Sequence, residues 1–271
     1  MHGVARIAFA ARDKHTRLAT LYQQAPLRVL FPRAPAGDPP HAVLVTTSGG
    51  LVGGDRLEIE IETGQDARAL ATTQAAEKVY RSTGAVAKVT VTLRAGAGAW
   101  LEWCPQETIV FDRARLRRRT TLQLEPGARV LAGEILVFGR RAHGELLQTG
   151  SLRDLWQVHD RDRLVWADAL RLEGDIGAQL AAPFGFAGAA AWASLIYAGA
   201  DAAAWRDTLR DLVGGGDEGQ RAGVTCLPGL LLARWLSKDA ARLRAGFSRA
   251  WTGFRHVAAG LPATAPVTWS C

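Results

Sequence analysis

The segment Trp103-Cys104-Pro105-Gln106-Glu107 holds the residues of this 271-residue sequence that are best suited to covalent chemistry. A cysteine near a glutamate is a candidate nucleophile with its base, as in a cytosolic hydrolase that uses Cys104 and Glu107. A reactive thiolate needs a cationic or histidine neighbour. None adjoins Cys104, although a distant histidine can approach it in the folded chain. We therefore favour a buried, unreactive thiol and keep the hydrolase as an alternative.

Metal ligation is the second chemistry that the residue types allow. The 6 histidines are scattered, without the His-x-His or Cys-x-x-Cys pairs that are typical of dedicated sites, so we predict no tight structural metal. His143 and Glu145 lie two residues apart in a segment that we predict to be a strand, and therefore on one face. They are candidate ligands for a borderline metal such as nickel, while solvated surface residues are the simpler interpretation.

The glycine-rich run Thr46–Asp55 invites comparison with nucleotide-binding loops. A phosphate loop needs Gly-Lys-Ser/Thr opening a helix, and a Rossmann turn also needs a helix N-terminus to meet the phosphates. The residues that follow here predict a strand, so we expect no nucleotide site. We predict instead a tight hairpin or a buried crossing, in which only glycine permits the backbone angles or the close approach.

The chain is basic, with a formal net charge of +7, and its 48% hydrophobic content is enough for a sizeable core. Nucleic acid, anionic lipid or an acidic protein surface would fit that charge. The only dense basic run consists of Arg113, Arg115, Arg117, Arg118 and Arg119. We interpret it as a solvated strand edge or loop, with docking on an acidic protein as the alternative. Because no aromatic-interleaved basic motif is present, we expect no nucleic-acid partner.

Cysteine usage and apolar segments indicate the compartment. Cys104, Cys226 and Cys271 are far apart and odd in number, which favours a reducing cytoplasm over a disulfide-linked fold. The first sixteen residues contain no apolar stretch typical of a secretory signal. Leu180–Ala200 is uncharged and about as long as a membrane span. Its proline and glycines argue against a membrane helix, so we expect no membrane association.

The first two thirds of the chain read as short strands separated by turn residues. In Arg56–Glu62 apolar and acidic residues alternate, which is the pattern of a strand with one buried face. Lys88–Arg94 alternates in the same way. Other predicted strands are Ala42–Thr47, Trp100–Cys104, Thr120–Leu124, Val130–Phe138, Gly144–Thr149 and Leu164–Leu172. This spacing favours a β-sandwich, a barrel or a stacked β-sheet assembly over alternating strands and helices.

The last third contains two predicted helices. Asp201–Val213 ends at the stop signal Gly214, Gly215 and Gly216. Lys238–Val257 repeats apolar residues at three- and four-residue steps with arginines between them, which predicts one apolar face and a basic remainder. We expect this second helix to pack on the β core, and the alternative is that its exposed side meets a helical partner. No internal repeat or linker is evident, so residues 1–271 are predicted to form one domain.

Four segments, taken together, resemble the motif series of the UreD/UreH family of urease accessory proteins in order and spacing. They are Gly49–Asp55, Thr72–Ser82, Glu102–Phe111 and Phe138–Glu145. The likeness extends over nearly the whole chain, to Thr16–Leu18, Ala25–Val29, Leu227–Leu231 and Trp269. The departures are near the end, at Cys226, where the family usually has arginine, and at Pro266–Trp269, where it usually has Pro-Arg-Ile-Trp.

The resemblance implies a mostly β, single-domain protein with about two α-helices in the C-terminal third. Of the three architectures that the strand spacing left undecided, we expect the stacked, helical β-sheet assembly of many short strands. It also implies a protein without catalysis of its own, placed between urease and the accessory protein UreF, which holds the GTPase UreG. In the family, nickel released after GTP hydrolysis passes through UreF and UreD into apo-urease. No cofactor would be bound permanently, and transient nickel would suit carboxylates, carbonyls and water better than thiolates.

Acidic residues in or beside the matched segments are therefore the candidates for a nickel path or a partner interface. With the histidine noted above, they are Asp55, Glu77, Glu107, Asp112, Glu134, Glu145 and His143. Arg81, Arg113 and Arg140 are close in sequence, so structural salt bridges are the alternative for each carboxylate. A second alternative for the whole chain is a β-rich adaptor without a role in nickel delivery.

Overall fold

The computed structural model of the protein describes residues 1–13, 15–214 and 219–270. Cys271 and two residues of the predicted helix stop, Gly215 and Gly216, lie outside the described residues. In chain order the strands begin with β1 (His2–Arg12), β2 (His15–Gln24), β3 (Leu27–Leu30), β4 (His41–Thr46), β5 (Arg56–Thr63), β6 (Arg68–Thr73), β7 (Glu77–Val79), β8 (Ala87–Ala95) and β9 (Trp100–Trp103). They continue with β10 (Thr108–Val110), β11 (Arg115–Leu124), β12 (Arg129–Phe138), β13 (Thr149–Asp160), β14 (Arg163–Asp175), β15 (Ala191–Ala198), β16 (Gln220–Leu227) and β17 (Leu230–Ser237).

These strands form two stacked sheets. The first sheet has the order β14-β13-β11-β8-β5-β1-β2, and the second has the order β16-β17-β15-β12-β9-β6-β4-β3. In addition, β10 pairs with β12, and β7 pairs with β10. Between β4 and β13 the chain alternates between the sheets, and β5, β8, β11 and β13 pair in parallel, as do β4, β6, β9 and β12. This arrangement is a β-solenoid, which confirms the predicted mostly β, stacked architecture.

Alternation along each strand explains the two-sheet stack. In β5 the apolar residues Leu57, Ile59 and Ile61 are buried between the sheets, whereas the glutamates between them lie on the outer face. The parallel register places like positions of successive coils beside one another, so the apolar residues form one continuous core. Seven of the predicted strands, those other than Gly144–Thr149, coincide with observed strands to within a few residues.

The predicted strand Gly144–Thr149 is wrong. Residues Arg141–His143 form a short 3-10 helix, the chain then follows a turn, and the strand begins only at Thr149. Gly139 and Gly144 have φ angles of 82° and 73°, which interrupt the extended backbone. His143 and Glu145 therefore do not share a strand face.

The segment that resembled a membrane span divides into a surface turn region and a core strand. It begins in α1 (Ile176–Ala181), continues through turns and ends in β15, which is buried along most of its length. Because both faces of β15 are covered, its sequence lacks the polar alternation of an exposed strand. Among the described residues, no helix is long and apolar enough to cross a membrane.

Both predicted C-terminal helices are present, as α2 (Arg206–Val213), which follows a 3-10 turn, and α3 (Ala240–Ala259). The carboxylate of Asp239 accepts hydrogen bonds from the first turn of α3, and Gly260, with φ of 65°, ends the helix. The apolar face of α3 packs on the second sheet, which confirms the expected helix on a β core. This face consists of Leu243, Phe247, Ala250, Trp251 and Phe254.

One arginine of α3 departs from the predicted basic exposed face. The Arg255 side chain is 0% exposed, and it bridges Glu102 of β9 at 3.0 Å and Asp38 at 2.7 Å. Its third nitrogen donates to the carbonyl of Pro262 at 2.6 Å. A buried cation with full hydrogen bonding replaces the solvation it loses, so Arg255 ties the helix to the solenoid.

We expect Arg255→Met to lower the free energy of unfolding by about 3–5 kcal/mol, because it leaves two carboxylates buried without their cation. Arg249→Met makes the same change on the exposed side of the same helix and should cost less than about 0.5 kcal/mol. Denaturant unfolding followed by circular dichroism measures both values. Equal losses in the two variants would show that the buried ion pairs do not hold α3 in place.

Candidate functional site

A cavity of about 60 Å³ lies between the two sheets near the middle of the solenoid. Since one water needs roughly 10–15 Å³ of such space, the cavity has room for several. Most of its wall is apolar, including Leu57, Val91 and Trp103. Its polar lining consists of Thr46, Thr73, Glu77, Gln106, Thr108, Arg118, Thr120 and Glu134. We refer to this space as the interior cavity.

We predicted that the arginine run lies at a solvated strand edge or in a loop. Arg113 does lie in an exposed turn, but the other four arginines lie in β11, inside the first sheet. Alternation sends Arg115, Arg117 and Arg119 outward, whereas Arg118 points inward and is buried between Leu116 and Thr120. The prediction was therefore wrong about the edge and about Arg118. It was right that the three other arginines of this strand are solvated.

Arg118 joins two carboxylates from different coils. Its guanidinium donates to Asp154 of β13, with Nε 3.0 Å from Oδ2, and to Thr108 Oγ1 at 3.0 Å. It also contacts Glu134 of β12, whose other oxygen accepts a hydrogen bond from Trp156 Nε1 at 2.6 Å. Glu134 and Asp154 are 2% and 1% exposed. The cluster is thus a buried, fully bonded group of one cation and two carboxyl groups.

Burial raises the pKa of Glu134 well above its usual range, and the neighbouring carboxylate of Asp154 raises it further, while Arg118 acts in the opposite direction. The hydrogen bond from Trp156 Nε1 also acts in the opposite direction, but the two raising effects outweigh both. The neutral form of Glu134 leaves Arg118 opposite a single carboxylate, so that the cluster carries no net charge. This neutrality explains how the cluster persists in an apolar interior.

Glu77 lies on the same cavity wall, in β7. Thr46 Oγ1 donates to Glu77 Oε2 at 2.8 Å, and the backbone N–H of Glu77 donates to the carbonyl of Glu107 at 2.8 Å. Burial raises the pKa of Glu77, the hydrogen bond from Thr46 lowers it, and the charge of Asp55 adds a further rise. Glu77 and Glu134 are therefore the two predicted site residues that the fold brings to one cavity.

Asp55 and Glu107 have structural partners outside the cavity. One oxygen of Asp55 accepts from the Met1 amino group at 2.6 Å, and the other accepts from the backbone N–H of Val52 at 2.8 Å. Glu107 pairs with Arg244 of α3, whose guanidinium also lies 4.8 Å from the centre of the Trp269 ring. Asp55 and Glu107 are therefore both in structural salt bridges, as the alternative interpretation of these carboxylates predicted.

Asp112 and Glu145 form a second pair at the turn before β13. Glu145 accepts from the backbone N–H of Asp112 at 2.8 Å and pairs with Arg140. Burial raises the pKa of Asp112, but hydrogen bonds from the backbone N–H groups of Thr149, Gln148 and Arg113 outweigh it, so the net shift is downward. His143 is exposed nearby in the chain. These three candidates lie at the protein surface or close to it, away from the cavity lining.

The glycine-rich run crosses from β4 in the second sheet to β5 in the first, so of the two predicted alternatives it is a crossing and not a hairpin, and it is only partly buried. Leu51 pairs with Val79 of the next coil, and β5 follows the run directly. At Gly50, φ is 145° and an added Cβ would lie 2.5 Å from the carbonyl oxygen of Lys78. Glycine is required here because the two backbones approach too closely for any side chain.

Cys104 is buried at 1% exposure, as predicted, under the C-terminal segment. The Trp269 indole N–H donates to the Cys104 carbonyl at 3.2 Å, and Gln106 donates to the carbonyl of Thr268. Burial raises the pKa of the Cys104 thiol well above its usual range, and the charge of Glu102 adds to the rise. Both effects disfavour the thiolate that the hydrolase alternative needs.

Within residues 1–13, 15–214 and 219–270, no three or more histidine, cysteine or acidic side chains form a group that could hold a metal ion. The interior cavity offers scattered oxygen ligands instead, from two carboxyl groups, hydroxyls and one amide. Such hard, sparse donors bind a borderline divalent cation weakly.

Our sequence analysis missed Asp154 and the inward position of Arg118. A signal for each existed in its strand. In β13, Leu152, Asp154, Trp156 and Val158 alternate with outward residues, and in β11 Arg118 shares the inward register of Leu116 and Thr120. A charged residue in an otherwise apolar inward register predicts a buried partner of opposite charge. The identity of that partner depends on the pairing of coils, which local patterns do not contain.

The fold and the cavity define a class of protein: a β-solenoid with a small, mostly apolar interior cavity that carries a few polar side chains, and with Cys104 buried away from solvent. Comparison with known sequences identifies the family. The family described as UreD urease accessory protein matches residues 1–270. The chain belongs to the UreD family, which confirms the resemblance found in its motifs.

Named relatives agree with this assignment. A protein of Magnetococcus marinus called urease accessory protein UreD is 49% identical over 99% of this chain and 94% of its own length. Proteins with the same name from a Methylobacterium species and from Bradyrhizobium diazoefficiens are 44% and 43% identical over 91% and 90% of the chain. These matches cover 87% of each of those two relatives.

We expect iodoacetamide to leave Cys104 unmodified in the native protein at mildly alkaline pH, because its thiol is buried and its pKa is raised. Cys226, which is partly exposed, serves as the internal control and should react first. Peptide mass spectrometry measures each site with and without denaturant. Rapid native labelling of Cys104 that abolishes a hydrolytic activity would support the hydrolase alternative instead.

The raised pKa of Glu134 makes the free energy of unfolding depend on pH. The folded protein holds this proton above the ordinary glutamate pKa of about 4.3, so the stability it contributes is complete below that pH and is lost as pH rises through the folded pKa. Glu134→Gln keeps a neutral side chain of the same shape. Its unfolding free energy should therefore fall less than that of the unchanged protein between roughly pH 5 and pH 8. If the unfolding free energies of the two proteins depended on pH in the same way, Glu134 would not hold a buried proton.

Proposed function

We propose that this chain is a non-catalytic urease maturation factor, which works with UreF and UreG in the cytoplasm to deliver nickel to apo-urease. In this proposal, GTP hydrolysis by UreG releases nickel, and the UreD-family chain conducts it toward the urease active site. Family membership and the names of the relatives support the accessory role. The observation that carries the conducting role is the pair of carboxyl groups, Glu77 and Glu134, on one interior cavity.

The ligand chemistry of the cavity suits a cargo that must leave again. Nickel would meet isolated carboxyl, hydroxyl and amide oxygens there, with water completing its coordination. A cluster of thiolates and imidazoles would retain nickel too strongly for transfer. Arg118, held by Asp154 and Glu134, adds a positive charge that opposes long residence of a second cation.

Proton exchange would accompany passage of the metal. The pKa of Glu134 is well above its usual range and the pKa of Glu77 is also raised, so both wall carboxyl groups hold a proton more readily than in water. A divalent cation displaces such protons because it stabilises the carboxylates. When nickel leaves, each carboxyl group recovers its proton, which lowers the cost of release.

The remaining candidates divide by position. Asp55 lies close enough to Glu77 to affect its pKa, so we assign it to one end of the path. Glu107, Asp112, Glu145 and His143 are assigned to partner contacts, where their bound arginines would also take part. The alternative of a β-rich adaptor without a nickel role makes no use of the interior carboxyl groups, so it can be distinguished by changing them.

The test is the nickel content and specific activity of urease co-produced with its accessory proteins at equal nickel supply. We expect omission of this chain to leave urease without nickel. Glu77→Gln and Glu134→Gln should each lower nickel content several-fold, because the amide keeps the shape but cannot become an anion. Glu62→Gln is the matched control, since Glu62 is exposed on the outer face of β5, and it should leave loading unchanged.

Co-purification with UreF separates the outcomes. Variants that retain UreF and lose nickel loading support a path through the interior cavity. If both interior variants load urease normally, the path does not use these carboxyl groups. If omission of the whole chain leaves loading unchanged, the maturation role itself is wrong, and the adaptor and the hydrolase become the readings to test.

A further inference from the structure

The outer face of the first sheet carries a row of basic residues that only the strand register reveals. The strands β1, β5, β8, β11, β13 and β14 are neighbours in this sheet. Each carries one basic residue at the position that pairs, across the strands, with the basic residue of the next strand. The members, which we call the basic row, are His2, Arg56, Lys88, Arg117, Arg153 and Arg171. All six are exposed.

The row is electrostatically unfavourable in the isolated chain. Neighbouring strands lie about 4.7–4.9 Å apart, so each cation stands directly beside the next. Like charges in such cross-strand positions destabilise a sheet. Two further exposed arginines, Arg115 and Arg119, flank Arg117 along β11 and add to the same field.

Only the ends of the row are compensated. His2 contacts Glu58 at 2.9 Å, and Arg171 pairs with Glu173. For Arg56, Lys88, Arg117 and Arg153, the part of the chain that the structure describes provides no ion pair to a carboxylate. Further along the same face, Glu60 compensates two arginines, since it lies 3.6 Å from Arg6 and 3.3 Å from Arg94.

We propose that the basic row is the docking site for an acidic α-helix of a partner protein. A helix repeats its surface positions every 5.4 Å, so carboxylates three and four residues apart follow a line with nearly the spacing of the strands. Long arginine and lysine side chains are flexible enough to bridge the small difference between the helical repeat and the strand spacing. Side chains on one face of an extended strand are about 6.6 Å apart and match the row less well.

The surroundings of the row argue against a nucleic-acid partner. Single-stranded nucleic acid is held by aromatic side chains on which bases stack, next to a basic groove. The residues that adjoin the row on the same face, two positions further along the strands, include no aromatic ring. They are Val4, Glu58, Thr90, Arg119, Leu155 and Ala169.

The docking surface is separate from the interior cavity. The basic row lies on the solvent side of strands whose inward residues line that cavity, as Arg117 and Arg118 illustrate in β11. The proposal therefore goes beyond nickel delivery, and a failed docking test would leave the conducting role unaffected.

The test measures binding of the full chain to an alanine-rich peptide of about 20 residues with glutamates at three- and four-residue spacing, a length that sustains a helix. Fluorescence anisotropy at low and high salt gives the affinity. The variant Arg56→Gln/Arg117→Gln/Arg153→Gln should bind about tenfold more weakly with a smaller salt dependence, because each exposed ion pair contributes modestly. The control Arg12→Gln/Arg33→Gln/Arg163→Gln makes the same charge change at exposed arginines outside the row and should retain affinity.

Three comparisons make the outcome decisive. A peptide with the same composition but glutamates distributed around the helix should bind more weakly. The row variant should have an equal or higher melting temperature than the unchanged protein, because repulsion is removed. Any one of three results would overturn the proposal. The first is an equal loss of affinity in both triple variants, and the second is a lowered melting temperature of the row variant. The third is tighter binding of single-stranded oligothymidylate or phosphatidylserine vesicles than of the peptide.

Discussion

The parallel register of the β-solenoid is the constraint on which the rest of the structure depends. Because strands of successive coils pair in parallel, an inward residue of one coil lies beside the inward residues of its neighbours. A polar group placed there cannot reach water, so another coil must satisfy it. Arg118, Glu134 and Asp154 come from three different strands and meet this requirement together. The same rule applies at the outside of the second sheet, where Arg255 reaches the solenoid from α3 and binds Glu102.

The same register has the opposite consequence on the outer face. Inside, unlike charges converge, because a buried cation without a carboxylate would cost several kcal/mol. Outside, water screens repulsion, so a line of like charges costs little and can persist. A central strand such as β11 therefore combines two roles, with Arg118 held in the interior and Arg117 presented to solvent. The sequence shows both as members of one basic run, and only the direction of each side chain separates them.

Local patterns were sufficient for the amphipathic elements and insufficient for the site. The strand β5 and the helix α3 each have one face toward water and one toward the core. The alternation in β5 and the three- and four-residue steps in α3 therefore predict these elements. β15 is covered on both faces and lacks that signal, and glycine turns at positions 139 and 144 override the apparent strand after them. The contacts of Glu107 with Arg244 and of Glu102 with Arg255 span 137 and 153 residues, so they follow from the pairing of coils and the docking of α3. Family resemblance selected Glu77 and Glu134 as candidates, but it could not assign them to one cavity.

The interior charge balance bears on how a metal could pass through such a fold. If Glu134 and Asp154 were both ionised, the cluster with Arg118 would carry one net negative charge in an apolar wall, which would bind a cation tightly and also destabilise the empty protein. The raised pKa of Glu134 favours its neutral form, which removes that charge. In the nickel path that we propose, exchange of the Glu134 proton for nickel would restore the negative charge only when a cation is present to balance it. On that proposal, reversible binding of nickel and a stable protein without it would both follow from one feature, the raised pKa of the buried Glu134 carboxyl group.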